Sequence, residues 1–169
     1  MSSIEISKAY AKTPNSAGGV DVFHEIYNAT EKEMKYITFT YVPYNSVGDM
    51  VSCTVKKRSE VSCKLTGPFK PGDATYVDWK NVWYNPTISL TRIKEVNIEY
   101  MDGSTETIPG GEILDIENPD SKLGKIREAE RIKQAEEEEI ARKKNKKKMM
   151  IIGGIVAVVA IILMILMGQ

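Results

Sequence analysis

Apolar and polar positions alternate over most of the first 108 residues, and apolar residues there do not recur at helical spacing. Short runs rich in Val, Ile, Thr, Tyr and Phe predict strands at 4–12, 20–28, 34–44, 50–57, 60–65, 74–79, 88–93 with 96–101, and 105–108. Turn formers separate them: Pro14-Asn15-Ser16-Ala17-Gly18-Gly19, Asn45-Ser46-Val47-Gly48-Asp49, Gly67-Pro68, Pro71-Gly72-Asp73, Asn85-Pro86 and Asp102-Gly103. Many short strands divided in this way predict an all-β domain at 3–108, an antiparallel β-sandwich.

One strand register follows from the residues. Val51, Cys53 and Val55 share a face, as do Val61, Cys63 and Leu65, because side chains alternate along a strand. A loop at Lys57-Arg58-Ser59 then pairs 51 with 65, 53 with 63 and 55 with 61, turning all six toward the core. Cys53 is expected opposite Cys63, either as two small buried hydrophobes in a reducing compartment or as a redox-sensitive thiol pair.

After a linker at 109–120 the pattern changes to Ala, Glu, Lys, Arg and Gln, strong helix formers that predict a charged α-helical stalk at 121–148. Asp120 or Ser121 is placed to cap it after Pro119, and Glu138 with Arg142 and Glu139 with Lys143 form acid-first i,i+4 pairs. Leu123, Ile126, Ala129, Ile132, Ala135 and Ile140 drift around the helix and hold no coiled-coil seam. The stalk is expected to be a solvated spacer, about 40 Å long, that holds the domain off a surface.

The next nineteen residues, 149–167, carry no charged or strongly polar side chain. They make about 28 Å of helix, close to the ~30 Å hydrocarbon thickness of a bilayer, and predict one transmembrane helix. Only Gly168 and Gln169 follow, the arrangement of a tail-anchored, single-pass protein. Gly153 and Ala157 form a small-xxx-small pair that supports a weak homodimer.

The formal charge of zero, 23 Lys and Arg against 23 Asp and Glu, conceals an uneven distribution. Residues 1–117 hold 12 basic and 16 acidic side chains, whereas 118–148 hold 11 and 7. A mildly acidic head lacks the clustered cations that nucleic acid requires, so nucleic acid is not an expected partner. Arg142, Lys143, Lys144, Lys146, Lys147 and Lys148 directly abut the apolar run. Basic flanks stay cytoplasmic, which places the N-terminal domain in the cytosol and sets this cluster against the anionic headgroups of the lipid bilayer. The opening Met1-Ser2-Ser3-Ile4-Glu5 has neither the basic start nor the apolar core of a secretory signal. Two cysteines are too few for a disulfide scaffold or a four-ligand zinc site.

Asn15-Ser16-Ala17-Gly18-Gly19-Val20-Asp21-Val22, Tyr27-Asn28-Ala29-Thr30 leading to Lys35-Tyr36-Ile37-Thr38-Phe39, and Pro43-Tyr44-Asn45-Ser46-Val47-Gly48-Asp49 form one set of motifs. Leu65-Thr66-Gly67-Pro68 with Pro71-Gly72-Asp73, Asp78-Trp79-Lys80-Asn81-Val82-Trp83-Tyr84-Asn85, and Ile98-Glu99-Tyr100-Met101-Asp102-Gly103-Ser104 form a second. Together they resemble the immunoglobulin-like β-sandwich domains of bacterial membrane and cell-envelope proteins, the FxLYD-type group. No Phe-x-Leu-Tyr-Asp string is present, and Val42-Pro43-Tyr44-Asn45 stands nearest to it. The resemblance covers 3–108 and implies an Ig-like sandwich without known catalysis.

The head has one histidine, His24, which shares a strand face with Val22 and Ile26 and is expected as a partly buried strand residue rather than a base. No Gly-x-Ser-x-Gly elbow, phosphate-binding glycine loop or His-Glu-x-x-His helix occurs, so no enzyme activity, cofactor or metal is expected. Trp79 is expected in the core. Trp83 and Tyr84 lead into Asn85-Pro86, a loop, where an exposed ring would serve an unknown protein partner; packing of that loop on the sandwich is the competing expectation. The sequence thus points to a non-enzymatic protein- or peptide-binding domain at a membrane surface. The alternatives are a structural protein assembling into membrane oligomers, with the head as spacer or coat, and an enzyme with an unrecognised site.

Overall fold

In β3, Gly19–Asn28, the alternating residues Val20, Val22, His24 and Ile26 turn inward, and the same period of two recurs at 61–69 and 96–100, whereas 39–43 is buried at every position. The structure is a computed structural model that describes residues 2–167; within the last helix the side chains of 153, 155–158, 160, 161 and 164–166 lie outside the described residues. The strands are β1 (Ile4–Ile6), β2 (Tyr10–Ala11), β3, β4 (Met34–Asn45), β5 (Val61–Phe69), β6 (Ala74–Tyr84), β7 (Ile88–Tyr100), β8 (Thr105–Pro109) and β9 (Leu114–Asp115). In one sheet β3 pairs with β6 on one side and with β1 and β2 on the other, and β9 joins β1 as the one parallel pair among the described residues. The other sheet runs β5-β4-β7-β8, all antiparallel. The two sheets enclose one core in which Trp83, Tyr41, Phe39, Ile4, Met34 and Ile98 are among the fully buried side chains. The expectation of an all-β, two-sheet domain holds.

Two local expectations fail. The strand expected at 4–12 breaks into β1 and β2, because the Ser7 hydroxyl takes the Glu25 N–H at 2.7 Å and replaces a ladder bond. The strand expected at 50–57 is a loop in which only Met50 bridges to Tyr44. Here Cys53 N–H donates to Arg58 C=O (2.8 Å) and Lys57 N–H to Cys53 C=O (2.9 Å), closing a tight turn that leaves Val55 68% exposed. β5 therefore pairs with β4, which offers a longer apolar run: Val61 lies opposite Tyr41, Cys63 opposite Phe39 and Leu65 opposite Ile37. Val61, Cys63 and Leu65 do share a face packed on the core, but Cys53 is not opposite Cys63.

Residues Met1–Lys125 form one compact unit and Ile126–Gln169 a second. The helix α1, Lys122–Met167, begins within the first. Its opening N–H groups lack intrahelical partners, as in any helix. Here they find them in β1: the Glu5 carboxylate, 2% exposed, accepts from Lys122 N (2.6 Å), Leu123 N (3.0 Å) and Ser121 Oγ (3.0 Å). Ser121 Oγ in turn accepts from Gly124 N at 2.8 Å, so Ser121 is the N-cap. A buried anion also complements the positive end of the helix dipole. Glu5→Ala is expected to cost about 3 kcal/mol, since it orphans buried donors, and to speed hydrogen exchange of the Lys122 and Leu123 amides. Unchanged exchange would contradict the capping role.

In the second unit the acid-first pairs form as expected, Arg142 to Glu138 at 3.6 Å and Lys143 to Glu139 at 2.6 Å. Among the described residues no helix is long and apolar enough to cross a membrane. Ten of the nineteen side chains of the run at 149–167 lie outside the described residues, and with them the Gly153 and Ala157 pair.

Candidate functional site

The core carries a chain of polar groups along the inward faces of β3, β4 and β6. Trp79 Nε1–H, which can only donate, is bonded to Tyr41 Oη at 3.0 Å. Tyr41 Oη and His24 Nε2 lie 2.6 Å apart, and with the Tyr41 hydroxyl as donor the imidazole proton sits on Nδ1. Nδ1 has no hydrogen-bond partner and His24 is 0% exposed, more deeply buried than a half-covered strand residue. Burial pushes the His24 pKa down to about 4, opposed only weakly by the Glu25 backbone. Burial likewise pushes the Tyr41 phenol up, while the Trp79 N–H pulls it back in part. Phe39 meets His24 edge-on at 4.8 Å and Trp83 meets Tyr41 at 6.4 Å, also edge-on, so the chain is walled by aromatic rings. A general base must come within hydrogen-bond reach of its substrate. His24 is sealed from solvent, and its geometry is that of a core residue.

Of the two expectations for Trp83, a packed ring holds and an exposed partner-binding ring does not. Trp83 lies inside β6, not in a loop, and is 0% exposed. Tyr84 is half-buried at the strand's end, where its C=O accepts from Thr54 N at 2.8 Å. The strand runs past Trp79 through a bulge: Asn81 adopts φ +49° and its N–H is held by Asp21 at 2.8 Å, so β6 resumes pairing at Trp83 with Val20. Trp79, as expected, packs against the core.

Cys53 is buried and serves as an acceptor, its Sγ taking Lys56 N–H at 3.3 Å and Tyr84 N–H at 3.4 Å. Burial pushes its thiol up, but the N–H groups of Lys56, Tyr84 and Val55 and the Lys56 charge outweigh this and hold it below the ordinary value. Burial raises the Cys63 thiol, and both cysteines are free. The six basic residues Arg142, Lys143, Lys144, Lys146, Lys147 and Lys148 all lie exposed on α1.

Two features had no sequence signal because they arise where distant segments meet. The break between β1 and β2 opens a cleft of about 580 Å³ against β7 and the turn at Gly110–Glu112. Its apolar residues Ile6, Leu90, Ile93 and Ile113 are buried or half-buried, and Lys8 and Arg92 stand exposed at its sides. This volume falls within the range of ligand sites, ~300–1,000 Å³. The second feature is the outer face of β2, β3 and β6, where Tyr10, Phe23 and Tyr76 form a row with centroids 5.3 and 5.8 Å apart. Beside the row Asp78 is paired with Lys12 (2.9 Å) and Lys80 (2.9 Å), and Lys80 also with Asp21 (3.0 Å). These lysines hold the Asp78 carboxyl below its ordinary value. No family model, curated protein or solved structure matches the chain.

Proposed function

We propose that the protein is a membrane-anchored, non-enzymatic binding protein whose immunoglobulin-like head, of the FxLYD type, recognises a protein or peptide partner at the cytosolic membrane surface. One observation carries this: in the continuous helix Lys122–Met167, six basic residues at 142–148 run directly into nineteen uncharged ones. A run of that length and composition is stable in hydrocarbon because every backbone polar group of a helix is satisfied internally. The basic flank favours the cytoplasmic side, and each Lys or Arg near an anionic surface adds up to about 1 kcal/mol of attraction.

With Trp83 buried, the cleft beside β7 is the surface that supports partner recognition. It combines apolar area with the cations Lys8 and Arg92, which outnumber the one acid of its lining, Asp115, and so suits an extended segment carrying apolar side chains and a carboxylate. In full-length protein held in its membrane, Ala9→Trp to fill the cleft and Arg92→Glu to reverse its charge are each expected to abolish cross-linking to the partner while leaving membrane association intact. A cross-linking pattern identical to that of the unaltered chain contradicts recognition at this cleft.

A further inference from the structure

The open edge of β6 points to a second copy of this chain. In β3 the carbonyls of Asp21 and Glu25 accept from Lys12 N and Ser7 N, both at 2.9 Å, so the odd-numbered residues direct their backbone groups toward β1 and β2. The even-numbered ones face β6, as Asn28 confirms through its bonds with Gly72 and Asp73 at 3.0 Å. Thr75, Val77 and Trp79, opposite Ile26, His24 and Val22, therefore bond to β3. Tyr76 and Asp78 turn their N–H and C=O groups the other way, where no strand lies among the described residues, and Lys80 follows in the same parity at the start of the bulge. The edge of the opposite sheet on this side, β5, is interrupted by Pro68, whereas β6 contains no proline. Tyr76 on this edge is 65% exposed.

We propose that two copies pair β6 to β6 antiparallel about a two-fold axis at Trp79, joining their sheets into one. Charge selects this register over its neighbours. Centred on Trp79, Asp78 of one copy stands opposite Lys80 of the other and the same contact recurs by symmetry. Centring on Asp78 sets two carboxylates face to face, centring on Lys80 sets two ammonium groups face to face, and centring on Val77 forms no ion pair. In the chosen register the Lys12–Asp78–Lys80–Asp21 cluster of each copy continues into the other with alternating sign. The proposal stands on the head alone and is independent of the membrane anchor.

The test is sedimentation of the full chain in mild detergent. The unaltered chain is expected to be a dimer. Asp78→Lys and Lys80→Asp, each creating like-charge contacts across the two-fold axis, are expected to weaken association by about tenfold or more, and an equimolar mixture of the two variants, in which both cross-strand contacts join opposite charges, to restore it. Tyr76→Pro removes an outward N–H and the exposed ring stacked on Phe23 but no bond to β3, so the head is expected to keep its fold by circular dichroism while the dimer is lost. A monomeric unaltered chain, a dimer that survives Tyr76→Pro because the apolar helix holds it, or a mixture of the two charge variants that fails to associate would each overturn the proposal.

Discussion

Trp83→Ala is expected to lower the stability of the head by about 3–5 kcal/mol, the cost of emptying a fully buried aromatic site. Urea unfolding of the full chain, followed by circular dichroism, measures it. The ring lies edge-on to Tyr41 in the centre of the core and is 0% exposed, so its loss acts on folding and on binding only through folding. Trp83 Nε1 has no hydrogen-bond partner, and Trp83→Phe removes that unpaired donor while keeping much of the ring volume. The milder variant is therefore expected to cost about 1–2 kcal/mol. Equal losses from the two substitutions, or no loss from either, would contradict this placement of the ring.

Acid is expected to destabilise the head through His24. Its pKa is pushed from 6.5 to about 4 by burial, so between those values the unfolded chain binds a proton that the folded chain refuses. Stability tied to this residue is fully present above about pH 6.5 and is lost as pH falls toward 4, amounting to about 3 kcal/mol at 1.36 kcal/mol per pKa unit. His24→Phe keeps a ring in the pocket and removes the titration. It also leaves the Tyr41 hydroxyl without its acceptor, so the variant starts less stable but loses less between pH 6.5 and 4. Parallel stability profiles for the two proteins across this window would show that His24 is not the titrating group.

The long strands were legible because one face of each is buried, and a period of two then appears directly in the residues, as in Val20, Val22, His24 and Ile26. Alternation says nothing about which strand lies next to which. Val51, Cys53 and Val55 carry the same signal as a strand, but the backbone around them is closed by bonds to Arg58 and Tyr84, and β5 found its partner in β4. Trp83 was misplaced for a different reason: Asn85-Pro86 marks the end of an element without marking how far a strand runs before it. Its parity with Val77 and Trp79 was the available signal that it turns inward. Glu5 was illegible in principle, since an acid between Ile4 and Ile6 acquires meaning only from amides more than a hundred residues away. The cleft shares that origin, as the polar switch at Ser7 that opens it depends on the Glu25 backbone.

Protease protection of the full chain in intact cells, with an epitope at the N-terminus, tests the membrane anchor and its orientation together. The expected result is an epitope that resists external protease until the membrane is permeabilised, in a chain that stays with the membrane through alkaline carbonate washing and leaves it when 149–167 is deleted. An epitope cleaved in intact cells, or a chain released by carbonate with 149–167 in place, would contradict a cytosolic head held by that helix.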